Sequence, residues 1–398
     1  MNSKLTAWAS LAAAAVISGL LTLNYADMWR DDVIIPGPGV TKVKWLSEYN
    51  PDLRGTLGDT RVYVLEGKEP GGTFLVLSGT HGDEAAGWGT GLILVEHAIV
   101  KKGRVIVIPQ VSNTAFTNNY PQEAHPQYIT IPQSDGKGRT FRLGSRTGNS
   151  GDLWPDPEVF VQYPHKQAYS GEEIRNANRA YPGRPNGTFN ESVAYAVQML
   201  HKAEQVDMQV DLHEGQPEYP FVNAISAHKR ASDVASFAAL EMQVHDLNIN
   251  TETSPDSFRG LSNLEMGDMF PRLYAFTSET VNPLQGKFRG ITDEYLTVDG
   301  VDAFYDKAGK LGYLFTPWPA TGSPLKQRVG RNVQQLQALT AALAEVTGTE
   351  IGWERIPSYS DLMEKGVGHY LNPLPQEGVE RPKMRALPGF WKYWSKTW

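Results

Sequence analysis

The 398 residues contain no cysteine. That absence excludes disulfides, thiolate metal ligands, a cysteine nucleophile and lipidation at cysteine, and it is compatible with any redox compartment. No basic cluster interleaved with aromatics occurs in the first 350 residues, and the net charge is -7. Nucleic acid is therefore not an expected partner. Internal repeats are absent as well, and residues 111–183 show no sustained hydrophobic period. What is present, 40% hydrophobic and 10% aromatic residues, is ordinary for a globular chain with a sizeable core.

Long apolar runs are limited to one. Lys4 precedes a charge-free stretch from Leu5 to Leu23, the pattern of an export signal. Asn24-Tyr25-Ala26 is a fair cleavage site, its Asn being larger than the usual small residue. An uncleaved anchor fits equally, because nineteen apolar residues just span a bilayer and Lys4 would stay on the cytoplasmic side. The sequence thus predicts residues 1–26 as signal peptide or membrane anchor, with the body exported to a periplasmic or extracellular space. Residues 27–60 read as an N-terminal extension, 61–348 as the catalytic body and 349–398 as a Pro-rich, aromatic tail. The Trp and Lys residues ending that tail suit packing on the domain or a membrane interface.

Within the body, residues 61–65, 73–78 and 104–109 read as strands, 69–72 as a turn, and 87–101 as a helix by apolar spacing. Strand, helix and strand in that order make a βαβ unit. A helix follows from Asn190, its expected N-cap. Residues 206–212 then form a strand ending in His213, 231–245 a helix, 272–278 a strand ending in Glu279, and 327–346 a last amphipathic helix. The expectation is a single α/β domain whose central mixed, mostly parallel sheet is flanked by helices.

The chemistry starts at Gly79-Thr80-His81-Gly82-Asp83-Glu84. Glycines around His81 let the chain turn sharply, so that the imidazole and the Glu84 carboxylate converge just past a strand. Two His and one Glu form an established zinc set with a position left for water, and His213 supplies the second imidazole. Ligands of open α/β sheets bind beyond the carboxyl ends of strands, where His81, Glu84, His213 and Glu279 all fall. Three of them can hold Zn2+ while a free carboxylate takes a proton. Glu279 is the expected base, with Glu265 and Glu294 as nearby competitors. Arg179, helped by Asn178, offers a planar donor for a substrate carboxylate. His228 reads as structural, and Asp83 and Glu214 as supports of the site or plain loop charges.

These pieces resemble the zinc metallocarboxypeptidase superfamily, and more the succinylglutamate desuccinylase and aspartoacylase branch than the digestive carboxypeptidases. Gly79 to Glu84 match the His-x-x-Glu zinc motif and Asn178-Arg179-Ala180-Tyr181-Pro182-Gly183 the Asn-Arg motif. Asp211-Leu212-His213 match the third-ligand motif, and Ser278-Glu279-Thr280 the catalytic glutamate. All occur in the family's order. The resemblance implies one Zn2+ per chain and hydrolysis of an amide next to a free carboxylate. The substrate would be an N-acyl amino acid or, for an exported carboxypeptidase, a peptide or cell-wall fragment. Two departures stand out. Asn176 occupies the place of an aspartate that supports the first zinc histidine, and no tyrosine matches the mobile substrate tyrosine. The second, oxyanion-stabilising arginine is expected at Arg142 or Arg146. The branch's small β-rich C-terminal domain has no counterpart in the roughly fifty residues after Thr349. A ligand-binding protein without turnover is the remaining alternative.

Overall fold

The computed structural model describes residues 3–153 and 155–375. The tail's aromatic end therefore lies outside the described residues. Thirteen strands occur among those described: β1 (Val40–Trp45), β2 (Arg61–Glu66), β3 (Glu69–Leu77), β4 (Ile99–Ile108), β5 (Tyr128–Pro132), β6 (Gly138–Arg142), β7 (Val159–Val161), β8 (Ala168–Ser170), β9 (Met208–Gly215), β10 (Ala224–Ala227), β11 (Asn250–Thr253), β12 (Tyr274–Val281) and β13 (Gly352–Arg355). Nine of them form one sheet in the order β1-β2-β4-β3-β9-β12-β10-β11, with β13 paired to β4. Its centre, β4-β3-β9-β12, is parallel throughout, and antiparallel pairing appears toward both margins. The β3-helix-β4 connection is the expected βαβ unit.

Alternation along the strands builds two cores. Phe74 and Val76 of β3 pack on one face with the helices Ala85–Glu96, Ser232–Val244 and Leu325–Thr347, whereas Leu75 and Leu77 meet the helix Phe189–Glu204 on the other. Each such fully buried side chain contributes about 1.5–3 kcal/mol. The helix expected at 87–101 stops at Glu96, because the β-branched Ile99 and Val100 already belong to β4. The expected turn at 69–72 is instead the start of β3, with a register irregularity before Thr73. Thr188, rather than Asn190, caps its helix: its hydroxyl accepts from the Glu191 amide at 3.3 Å and the Glu191 carboxylate accepts from the Thr188 amide at 2.7 Å.

The sheet takes in β1 and β13 from segments expected to flank the body. Buried Glu96 binds both flanks, accepting from the Ile35 amide at 3.0 Å, the Asn372 amide at 2.6 Å and the Arg139 guanidinium at 3.1 Å. The helix Ser3–Asp27 buries none of its side chains and is long and apolar enough to cross a membrane. It ends at buried Met28, whose carbonyl accepts from Arg142 at 2.9 Å.

Candidate metal centre and substrate cavity

His81 is aimed by backbone constraint. Gly79 has φ +63°, and a Cβ there would lie 2.6 Å from the Pro109 carbonyl oxygen, so the turn leaving β3 requires glycine. Glu84 follows three residues on, directly before the helix Ala85–Glu96. His213 and Glu279 arrive on adjacent strands as register partners, inside the last residues of β9 and β12 rather than beyond them. His81, Glu84 and His213 are buried together, their ligand atoms all within 4.8 Å of one another.

The hydrogen bonds fix which nitrogens face inward. Asn176 Nδ2 donates to the Glu173 carboxylate at 2.8 Å, which leaves Asn176 Oδ1 as acceptor for the Asn178 amide at 2.9 Å and for His81 Nε2 at 3.0 Å. His81 therefore carries its proton on Nε2. Its Nδ1 lone pair points at Glu84 Oε1, 2.6 Å away. On the other side His213 Nε2 lies 3.2 Å from Asp211 Oδ2. That fully buried carboxylate also accepts from the Thr80 hydroxyl at 2.8 Å and the Ser262 hydroxyl at 2.6 Å. His213 Nδ1 faces Glu84 Oε2 at 2.9 Å and His81 Nδ1 at 3.3 Å.

Two ring lone pairs and two carboxylate oxygens thus converge, and short of an extra proton the donor that reaches them is the Gln285 amide, 3.1 Å from Glu84 Oε1. Such a knot of acceptors calls for a cation. The charges respond accordingly. Burial lowers the His81 pKa despite the pull of Glu84. Burial works against charge on His213 too, but Asp211 and Glu84 together hold its imidazole protonated well above the usual range. Glu84, which burial would raise, is held low by the two imidazoles. Two His nitrogens and one carboxylate, the histidines braced from behind, are a donor set that fits zinc.

The cluster opens into a cavity of about 680 Å³, whose wall includes Glu279, Asn178, Arg179 and Arg146. Glu279 forms no ion pair among the described residues; burial and then Glu84 push its carboxyl up to about 8, against the pull of His213. Its competitors are occupied elsewhere. Glu265 accepts from the Gly260 amide at 3.0 Å and meets His165 at 3.1 Å, while Glu294 bonds the Thr130 amide at the protein surface. Arg179 is buried, its guanidinium 4.4 Å above the Phe258 ring, and Nη1 donates to the Asn178 carbonyl at 2.8 Å. Asn178 Nδ2 also reaches His213 Nε2 at 3.3 Å, and its side-chain oxygen accepts from the Ser262 amide.

Of the two further arginines, Arg146 lines the cavity. Arg142 does not: it is buried against Asp32 at 3.0 Å and Asn113 at 3.0 Å. His228 is structural, meeting Asp268 at 3.1 Å. Glu214 caps the helix after Glu84 by accepting from the Ala86 amide at 2.9 Å, and it pairs with buried Arg328. Asp83 lines the cavity, and burial followed by Glu84 raises its carboxyl to about 8. Sequence reasoning missed the support given by Asp211, which alternation along β9 would have placed on the same face as His213. It also missed Tyr120, Tyr219 and Glu252 in the cavity wall, which come from segments without a readable period.

No protein-family model matches the chain, and no curated protein does. Solved structures do. The chain is similar to the product-bound ectoine utilization protein EutE (DoeB) from Ruegeria pomeroyi, at 19% identity and TM-score 0.39 over 75% of this chain and 63% of that one. A succinylglutamate desuccinylase from a Silicibacter species matches at 22% identity and TM-score 0.33 over 56% and 53%. The product-bound cell shape determinant Csd4 from Helicobacter pylori matches at 13% identity and TM-score 0.44 over 76% and 59%. The chain spans less than two thirds of each of these structures.

Proposed function

We propose that the chain is a zinc-dependent hydrolase that cleaves an amide bond next to a free carboxylate, with an N-acyl amino acid as the first substrate class. The observation that carries this reading is the convergence of His81 Nδ1, His213 Nδ1 and both Glu84 oxygens beside an open cavity. His81, Glu84 and His213 would hold the metal. When bound, zinc supplies Lewis acidity that polarises the scissile carbonyl and makes a water acidic. Glu279 accepts the proton from that water and returns it to the leaving amine. Its raised pKa suits proton exchange near neutrality, and a nearby divalent cation would lower it toward the ionised form needed in a base. Arg179 takes the substrate carboxylate with Nη2, which no described residue engages, while Phe258 and Asn178 keep its plane fixed. Arg146, on the wall near Glu279, offers charge to the developing oxyanion.

A second reading, an exported carboxypeptidase acting on peptides or cell-wall fragments, is favoured by the unburied apolar helix Ser3–Asp27. Under both readings that helix serves as signal or anchor and puts the body outside the cytoplasm. The test uses the full-length chain in detergent. About one zinc per chain, lost in His81→Ala, is expected, with hydrolysis of N-acyl amino acids or C-terminal peptide residues. Glu279→Gln should keep the metal and lose about 10²–10⁴ in kcat. No zinc uptake by the intact chain would sink the proposal. Zinc uptake and ligand binding without hydrolysis would move the assignment to a binding protein.

A further inference from the structure

The cavity floor carries a carboxylate that the proposed chemistry does not use. Asp211 of β9, Thr277 of β12, Ser226 of β10 and Glu252 of β11 are register partners in one row across four strands. Their neighbours Val210, Phe276 and Ile225 belong to the core on the opposite face. The row therefore faces the cavity, where Thr277, Ser226 and Glu252 are wall residues. With about 4.8 Å between strands and about 3.3 Å per residue, Glu252 lies roughly 12 Å from Glu279, measured along the backbone grid.

Glu252, like Glu279 and Asp83, is a wall carboxylate without an ion pair among the described residues, and of the three it stands farthest across the sheet from His213. Glu214 has Arg328, Glu173 has Arg179 and Asp211 has His213; Glu252 forms no ion pair with any described residue. Burial raises its carboxyl and only the Ser226 hydroxyl works against that. The segment that carries it also carries Phe258, the ring beneath the Arg179 guanidinium. Tyr219 stands in the same wall, where burial and then Glu252 and Glu279 raise its hydroxyl against the pull of Arg179. An arginine for a carboxylate and a glutamate without an ion pair thus line one cavity, and the strand order puts Glu252 on the side of Glu279 away from His213.

We infer that Glu252 selects substrates whose carboxylate-bearing residue also has a long cationic side chain, such as an amino acid ending in an ammonium group. Arg179 holds the carboxylate and Glu252 the far end. The Glu252 and Glu279 side chains take up part of that span, an ammonium on a flexible four-carbon stem covers the rest, and a short side chain does not. The inference rests on the proposed amide hydrolysis.

The experiment compares N-acetyl-L-lysine, N-acetyl-L-norleucine and N-acetyl-L-glutamate as substrates of the zinc-loaded full-length chain, with Glu252→Gln and Glu252→Lys beside the wild type. In parallel, calorimetry measures binding of free L-lysine and L-norleucine to the same three proteins. We expect kcat/KM to favour the lysine compound over the norleucine one by about tenfold or more, the worth of one well-placed charge pair. Glu252→Gln should erase that ratio, and Glu252→Lys should move the preference to the glutamate compound. Hydrolysis with a lysine-to-norleucine ratio near one, or a ratio that survives Glu252→Gln, overturns this inference and leaves the hydrolase reading intact. If nothing is hydrolysed, the hydrolase reading fails and the binding arm decides. Tighter L-lysine than L-norleucine binding, lost in Glu252→Gln, supports the role of Glu252, and equal binding overturns it.

Discussion

The two histidines of the candidate metal centre are braced by unlike partners. His81 leans on Asn176, a neutral amide whose oxygen also serves the Asn178 backbone. His213 leans on Asp211, a buried carboxylate backed by two hydroxyls. Both braces leave Nδ1 facing Glu84, so position alone does not separate them. Charge does: the same degree of burial pushes His81 down and leaves His213 far above its usual range. The difference teaches that a brace sets how strongly a histidine holds a positive charge, and hence how much each one gives to a bound cation.

The largest effect removes the histidines themselves. His81→Ala and His213→Ala should each abolish stoichiometric zinc, because two remaining ligands do not make the set. Atomic absorption on the dialysed proteins reads this directly. If one variant kept its zinc, that histidine would not be a ligand and the comparison would collapse to a single site.

Next comes a control outside the candidate metal centre. His201 is a third buried histidine with an amide brace, its Nε2 2.5 Å from Gln209 Oε1, and no carboxylate lies close. Burial drops its pKa to about 4, with Gln209 pulling weakly the other way. The folded state then disfavours protonation, while the unfolded chain takes up the proton near pH 6.5. Stability from this residue is complete above pH 6.5 and is lost as the pH falls toward 4, by on the order of 3 kcal/mol in all. Urea melts at pH 7, 5.5 and 4 should show the loss, and His201→Gln should flatten it relative to wild type. An unchanged slope would mean that an amide brace protects a buried histidine from acid better than its charge balance implies.

How much of this could be read from the sequence depends on what kind of signal each residue carried. His81, Glu84, His213 and Glu279 were legible because strands announce themselves by apolar runs and the four sit at their ends. The parallel centre of the sheet followed from the same runs. Asn176 was legible as a departure, since it stands three residues before Arg179. The strands β10 and β11 were not, at four residues each with little apolar contrast, and Glu252 was hidden with them. Arg142 and Arg146 could not be separated, because only tertiary packing buries one against Asp32 and turns the other into the cavity.

The charged brace itself is the next target. Asp211→Asn keeps the size and one acceptor but removes the charge behind His213, so zinc affinity should fall about 10–100-fold. Competition with a chromogenic chelator measures it. The hydroxyls of Thr80 and Ser262 keep their neighbours in this variant, and its melting point gives the control for misfolding. An affinity within twofold of wild type would show that orientation, not charge, is what Asp211 contributes.

The smallest effect runs the other way and tests whether the neutral brace is a weakness. Asn176→Asp places a carboxylate behind His81, which should tighten zinc. The substitution also turns the group that donates to Glu173 at 2.8 Å into an acceptor, so two carboxylates would face each other and oppose the gain. Glu173→Gln supplied together with Asn176→Asp restores a donor to that contact. The double variant should bind zinc a few-fold to about tenfold more tightly than wild type, and the single variant should gain less. Glu173 also lies 3.4 Å from Arg179 Nε, so chelator competition rather than turnover is the readout that isolates the metal. Equal zinc affinity in wild type and double variant would mean that an amide held in place by Glu173 and Asn178 braces His81 as well as a carboxylate would, and the asymmetry between the two histidines would then lie in Asp211 alone.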